Sequence, residues 1–435
     1  MLKRLIVVGG LTGSAHLINI AVLKVLAVYL PATSISIIGE IDSLVLLIIS
    51  IVNFGIQLSA TRKLALLDHW QQEYYHTQSA RITLALLLWI VSISGFLIFK
   101  NFLFLMAPVF ALNGDYALYG RGMPKTGALI SFLRVLIPSL ALLVAVFYFP
   151  EDYIWIYISS VVVAYIFAGI TVSRVLGVSY FVKPNLRFLK KYYEHLNIGI
   201  CNVFYSFVGV GLINVIAFFY NNESIAALYL FLKIYILFRG VKQIIVQSFF
   251  KDLNEFQVAV RVDYYSLLAG FVFFATLAFF TDLFTLVFLT PEMSVYHHAL
   301  FLLGLAAFVS TFSTGLGARL LLAEKDKVYS RNMSLGGIVT ILSSVVFYYL
   351  FGDNPLWPAL SILTGELIIT VLDSIAIQEQ NFWKKRLQFI LPAISTLGVP
   401  LLLKNTISNE WILYLLFLIA LTLITFVFRK KWIDL

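Results

Sequence analysis

The chain has 435 residues, of which 61% are hydrophobic and only 12% charged, with a mean hydropathy of +0.93. Soluble domains carry roughly 25% charge, so a water-soluble fold is excluded. A net charge of +9 would point to nucleic acid in a soluble protein, but here the basic residues gather in short connections between apolar blocks, where they act as topology signals.

Each block is long enough to cross a bilayer of about 30 Å as a helix, and breaks at charged or Pro/Asn/Asp/Gly clusters predict about 14 transmembrane helices. They fall at 5–30, 35–57, 81–99, 102–119, 126–149, 153–176, 196–220, 225–249, 263–288, 298–322, 332–351, 355–378, 388–404 and 410–428. The first follows Met1-Leu2-Lys3-Arg4 and imitates a secretory signal. Its apolar run continues to Leu30 with no small-residue cleavage site, so it reads as a retained helix. The fourth span is broken by Pro108 and Asn113-Gly114-Asp115, and the thirteenth contains Pro392 and Pro400.

If the N-terminus is cytoplasmic, the inside connections hold Lys3 and Arg4, Arg62 and Lys63, Arg81, Arg121 and Lys125, the basic residues of 183–191, Lys251 and Arg261, Lys325, Lys327 and Arg331, Lys384 to Arg386 and Arg429 to Lys431. The outside connections hold only Lys100 and Lys404. Such asymmetry predicts a multi-pass membrane protein with both termini cytoplasmic. Every outside connection is a few residues long, with no room for a folded outer domain. Cys201 lies inside an apolar block and reads as a packed free thiol.

The longest inside connection, 177–195, is basic and follows six spans. It divides the chain into an N-terminal six-helix lobe (1–176), the linker, a C-terminal six-helix lobe (196–379) and two additional helices with a basic tail (380–435). Ser34-Ile35 and Ser224-Ile225 introduce the second span of each half, and tight basic turns, Gly120 to Lys125 and Glu324 to Lys327, join the fourth and fifth. The expected fold is therefore an all-α polytopic membrane protein: two pseudo-symmetric six-helix bundles, related by an axis along the membrane normal, plus two C-terminal helices.

No phosphate-cradling glycine loop, Cys/His metal spacing or nucleophile elbow is present, so no enzyme, cofactor or metal is expected. The informative residues are ionisable groups within spans, where charge is costly and normally faces a partner, a cavity or the interface. On the first helix Gly9, Gly13, His16, Asn19 and Lys24 share an arc of roughly 140°. That polar face reads either as tight packing through Gly9-x-x-x-Gly13 with His16 and Asn19 bonded across helices, or as a cavity wall. Lys24 reads as a cavity cation or a snorkelling lysine.

Further cations are Arg62, Arg134, Arg174, Lys233, Arg239, Lys242 and Arg319. Lys233 lies roughly 13 Å from the outer end of its helix, too deep to snorkel easily. Arg239 and Lys242 read equally as interface anchors or ligand groups, and Arg174 and Arg319 lie within a turn of the cytoplasmic surface. Acidic candidates are Glu40, Asp42, Asp115, Asp282, Glu366 and Asp373. Glu366 and Asp373, seven residues apart on one helical face, read as an ion-coupling site or as structural partners of Lys233 or Arg239. With Asp42 they form the coupling candidates. The surplus of interior cation suits a phosphate or pyrophosphate, for which Arg offers paired donors and Lys a point charge.

Three segments carry a family resemblance: Phe54-Gly55-Ile56-Gln57-Leu58-Ser59-Ala60-Thr61-Arg62-Lys63-Leu64-Ala65, Leu320-Leu321-Leu322-Ala323-Glu324-Lys325-Asp326-Lys327, and Ala359-Leu360-Ser361-Ile362-Leu363-Thr364-Gly365-Glu366-Leu367-Ile368. In order and position they resemble Wzx-type polysaccharide (O-antigen) flippases of the multidrug/oligosaccharidyl-lipid/polysaccharide exporter (MOP) superfamily, over about residues 1 to 379. Leu30-Pro31-Ala32-Thr33 lacks that family's Leu-Gly step, and Tyr119-Gly120 lacks its usual glutamine. The resemblance implies an undecaprenyl-pyrophosphate-linked oligosaccharide carried from the cytoplasmic to the periplasmic face by alternating access, with H+ or Na+ as coupling ion and a polysaccharide polymerase as downstream partner. Residue by residue, only Arg62 and Glu366 fall on matching motifs. A multidrug or metabolite antiporter on the same fold is the alternative, disfavoured by the cation surplus. A membrane glycosyltransferase or polymerase would need a substantial acidic outer loop.

Overall fold

The structure, a computed structural model, describes residues 2–55, 60–61, 63–65, 67–99, 103–194, 196–249, 255–290, 295–323, 325–378, 382–404, 406–407 and 409–433. Every regular element among them is helical. Ten described helices are long and apolar enough to cross a membrane, and an eleventh crossing results if the bent pair Leu196–Ser206 and Val210–Ile216 counts as one. The protein is a multi-pass membrane protein.

The chain forms two compact units, Met1–Tyr229 and Leu230–Leu435. The first holds α1 (Leu2–Tyr29), α2 (Ala32–Asn53), α3 (Trp70–Phe99), α4 (Ala107–Leu112), α5 (Tyr116–Gly120), α6 (Pro124–Tyr148), α7 (Tyr153–Leu176), α8 (Lys190–Glu194), α9 (Leu196–Ser206), α10 (Ile213–Ile216) and the start of α11 (Asn222–Phe249). The second continues through α12 (Phe256–Phe279), α13 (Thr281–Phe288), α14 (His297–Phe312), α15 (Thr314–Leu322), α16 (Asp326–Phe351), α17 (Leu356–Ile377), α18 (Phe382–Ser395), α19 (Gly398–Leu403) and α20 (Glu410–Ile433).

Several expected spans are interrupted. The fourth is a 3-10 turn (Leu103–Met106) followed by α4 and α5, because Asn113 is extended at φ −74°, ψ 109° and stops the helix before Gly114. The seventh bends by 75° between Ser206 and Val210. A Cβ at Gly211 would lie 2.7 Å from the Ser206 carbonyl, so the bend needs a residue without one. The tenth divides at Ser313 into α14 and α15, and the thirteenth between Ser395 and Gly398 into α18 and α19. The third begins at Trp70, well before the apolar run that starts near Arg81.

Packing follows one order in both units. In the first, α3 lies on α4, α4 on α7 and α6 on α7; in the second, α12 lies on α14, α14 on α17 and α16 on α17. In the second unit α16 and α17 approach closely because glycines face each other there: a Cβ at Gly365 would lie 2.8 Å from the Gly336 carbonyl.

The 177–195 segment is strapped to α3 and α2. Ser79 Oγ donates to Lys183 O at 2.7 Å, Asn185 N to Thr83 Oγ1 at 2.9 Å and Tyr192 Oη to Val52 O at 2.6 Å. Lys191 pairs with Glu73 at 2.7 Å; burial pushes its ammonium below the ordinary lysine range while Glu73 pulls the other way. Nearby, Phe54 and Gly55 both take left-handed backbone (φ 30° and 74°) to close α2. A Cβ at Gly55 would stand 2.9 Å from the Gly199 nitrogen, so the Phe-Gly step is where α2 meets α9.

Within the second unit the C-terminal helices join α12, α13 and α14 through an aromatic core. Phe271, Phe280, Phe308 and Phe312 pack with Phe382, Phe389 and Phe417.

Candidate functional site

In the first unit the interrupted fourth span is held by Arg81, which is 2% exposed. Non-helical backbone at membrane depth must be satisfied from within the protein. Nη1 of Arg81 donates to Asn113 O at 2.6 Å and to Gln78 Oε1 at 2.7 Å; Nη2 donates to Asn53 Oδ1 at 2.7 Å and to Phe110 O at 3.2 Å. A guanidinium thus answers the carbonyls that end α4, and the Tyr116 ring lies 5.4 Å from its centre.

The same break carries Asp115 to Arg134 of α6. Arg134 Nη2 donates to Asp115 Oδ2 at 2.7 Å and to Ser131 Oγ at 3.0 Å, with the guanidinium 5.1 Å from the Tyr165 ring of α7. Asp115 is buried and the Arg134 side chain keeps 17% exposure. On α2, Asp42 is clasped by two phenols: Tyr157 of α7 donates to Oδ1 and Tyr229 of α11 to Oδ2. Glu40 accepts from Ser36 Oγ at 3.2 Å.

On α1, Asn19 Nδ2 donates to Ser139 Oγ of α6 at 2.8 Å, the cross-helix bond expected of that face. At Gly13 a Cβ would meet nothing within 4 Å among the described residues, so that glycine is not itself a point of close helix approach there. His16 and Lys24 are half-buried. Arg62 lies outside the described residues.

In the second unit Asp263 of α12 plays the part that Arg81 plays in the first, with opposite charge. Its Oδ1 accepts from the Gly315 amide at the start of α15 at 3.1 Å, and its Oδ2 accepts from Arg386 Nη2 of α18 at 2.7 Å. Arg386 is 3% exposed and stands 4.1 Å from the Phe382 ring. Arg81 and Arg386, which the sequence presents as loop charges, are therefore buried donors.

The acidic pair on α17 is buried, with Glu366 1% and Asp373 0% exposed. Glu366 Oε1 accepts from Tyr235 Oη at 2.7 Å and Asp373 Oδ1 from Asn332 Nδ2 of α16 at 2.9 Å. Asp373 Oδ2 is a buried oxygen with no hydrogen-bond donor among the described residues. Lys242 lies close enough for Glu366, Asp373 and Arg239 to act on its charge, and its Nζ reaches Ser310 O at 3.4 Å. Arg239 lies 5.9 Å from the Tyr235 ring. Lys233 and Arg319 are half-buried, and Asp282 is exposed. Glu366, Asp373, Lys242 and Arg239 thus form one polar cluster inside the second unit, while in the first unit Asp115, Arg134 and Asp42 all lie near enough to act on Tyr165 of α7. No group of three or more His, Cys, Asp or Glu among the described residues is placed to hold a metal.

The sequence matches no protein-family model and no curated protein. Solved structures do match. Lipid II flippase MurJ in an inward closed conformation aligns at a TM-score of 0.71 with 13% identity, covering 98% of this chain and 99% of that one. A MATE transporter in complex with MaL6 aligns at 0.61 with 11% identity, over 88% and 97%. A MOP superfamily transporter from Pyrococcus furiosus, whose binding pocket is described as of reverse polarity, aligns at 0.54 with 12% identity, over 87% and 95%. At these identities the likeness is one of fold: the chain has the fold of MOP superfamily transporters and flippases.

Proposed function

We propose that the chain is a Wzx-type flippase that carries an undecaprenyl-pyrophosphate-linked oligosaccharide, an O-antigen repeat in the lipopolysaccharide setting, across the bacterial inner membrane. The observation that carries this reading is Arg134, a cation in the middle of an apolar helix whose guanidinium is only partly engaged by Asp115. A guanidinium kept at that depth with a free edge is chemistry for a diphosphate rather than for a cationic drug. The full-length likeness to a lipid II flippase adds support from the side of the fold.

In this reading the chain crosses the membrane fourteen times as six plus six plus two, with both termini cytoplasmic, lobes at 1–176 and 196–379, the linker at 177–195 and the added pair at 380–435. Lys24, Arg62, Arg134, Lys233, Arg239, Lys242 and Arg319 guide the diphosphate. Glu366 and Asp373, with Asp42, take up the coupling H+ or Na+, and His16 and Asn19 line the polar face of α1. The sugar product passes to a polymerase on the far side. The test compares liposomes with and without the protein, loaded with a short-chain pyrophosphoryl lipid sugar. Faster translocation with the protein is expected, and equal rates would overturn the reading.

One observation favours a second reading, a multidrug or metabolite antiporter. The Glu366 and Asp373 pair is buried, as a site exchanging a cation would be, and the fold is shared with MATE transporters. Export of a cationic dye with no movement of the lipid sugar would put this reading first.

A further inference from the structure

We propose that Asp115 is a built-in competitor for the substrate's anion: it occupies Arg134 in the empty protein and is displaced when a pyrophosphate arrives. This deepens the flippase reading and rests on it for the identity of the anion, while the competition itself is a property of the first unit alone.

Three features support it. First, the ion pair uses one edge of the guanidinium. All hydrogen bonds of Arg134 to described residues leave from Nη2, to Asp115 and Ser131; Nη1 and Nε make none, and neither is among the buried polar atoms lacking a partner. A phosphate accepts two parallel bonds from such a fork, whereas Asp115 here accepts one, so an incoming diphosphate can offer more than the carboxylate it replaces. Second, Asp115 is not rooted in a long helix. It lies in the break between α4 and α5, next to the extended Asn113, so a small backbone change there can withdraw it. Third, the break keeps its anchor when Asp115 leaves, because Arg81 holds Asn113 O and Phe110 O independently. Ring contact with Tyr165 keeps the Arg134 guanidinium in place meanwhile.

The physical logic is that an interior cation with no anion is costly in lipid, while one locked in a full bidentate pair could not release it for a ligand. A half-engaged carboxylate solves both problems. It also sets specificity: a neutral or cationic ligand gains nothing by displacing Asp115, and a strong anion does.

The test uses the full chain in detergent with farnesyl pyrophosphate as the probe. Asp115→Asn is expected to bind it about tenfold more tightly than the native protein. Asp115→Glu, which keeps the competing charge, is expected to bind like the native protein. The gain should vanish in Asp115→Asn/Arg134→Gln. Equal or weaker binding by Asp115→Asn, or a gain that survives loss of Arg134, would overturn the proposal. Should Asp115→Asn not fold, hydrogen exchange on the native protein decides: farnesyl pyrophosphate should speed exchange at Ala117 and Leu118, whose amides donate to Gly114 O and Asp115 O, as Asp115 is withdrawn, and slower or unchanged exchange there would overturn it. Translocation in liposomes is scored separately. A flippase whose Asp115→Asn variant gains no affinity keeps the function and loses the competitor; a gain through Arg134 without translocation keeps the competitor and loses the flippase.

Discussion

The two units solve the same problem with opposite charges. Each has a long helix packed on an interrupted span, α3 on α4 in the first and α12 on α14 in the second, and each sends a buried charged side chain to the interruption. In the first unit the exposed ends are carbonyls, so the group is a guanidinium, Arg81. In the second the exposed end is an amide, so the group is a carboxylate, Asp263. The helix-end rule that cations suit carbonyl ends and anions suit amide ends accounts for the choice. The neutralisation differs too. Asp263 has Arg386 as a partner, while Arg81 has neutral acceptors and no carboxylate in salt-bridge reach among the described residues.

This contrast can be broken experimentally. The largest effect is expected for Arg386→Leu, which strands Asp263 in the core at a cost of about 3–5 kcal/mol, read as a lowered melting temperature in detergent. Adding Asp263→Asn should recover much of the loss, because both charges are then gone. A double variant as unstable as Arg386→Leu alone would show that the ion pair is not what matters. Arg81→Met should cost about 3 kcal/mol by leaving Asn113 O and Phe110 O unanswered. Here neutralising a second residue should give no recovery, since no carboxylate awaits its partner; a rescue by one such change would erase the distinction between the units. The smallest effect is expected at the α1–α6 contact: Asn19→Ala should lower stability by about 0.6 kcal/mol, the usual size of a hydrogen bond between membrane helices. A loss of several kcal/mol there would mean that Asn19 does more than join α1 to Ser139.

Hydropathy and charge asymmetry made the membrane class and most spans legible, because span length is imposed by the bilayer and not by neighbours. Interruptions were legible only where the breakers were strong. Asn113-Gly114-Asp115 announced a weak fourth span, whereas Ser313 gave no warning of the break between α14 and α15. Arg81 and Arg386 were misjudged because both stand at the ends of apolar runs, where a topology charge and a buried charge look alike. Helical spacing held the missing signal. Tyr74, Gln78, Arg81 and Ala85 share one buried face of α3, and Phe382, Arg386, Phe389 and Ala393 repeat that spacing on α18. An arginine in phase with a buried stripe is a core residue, whatever its distance from the bilayer edge. The partners of Asp42 could not be read at all, since Tyr157 and Tyr229 lie 115 and 187 residues away in the chain.

The Asp263–Arg386 pair also has a consequence for biogenesis. Its members are 123 residues apart, so at about 5–20 residues per second the ribosome delivers the arginine about 6–25 s after the aspartate. During that interval α12 is already synthesised with an acidic group awaiting its counter-charge. Until α18 emerges, that group is tolerated in the membrane only protonated or in reach of water.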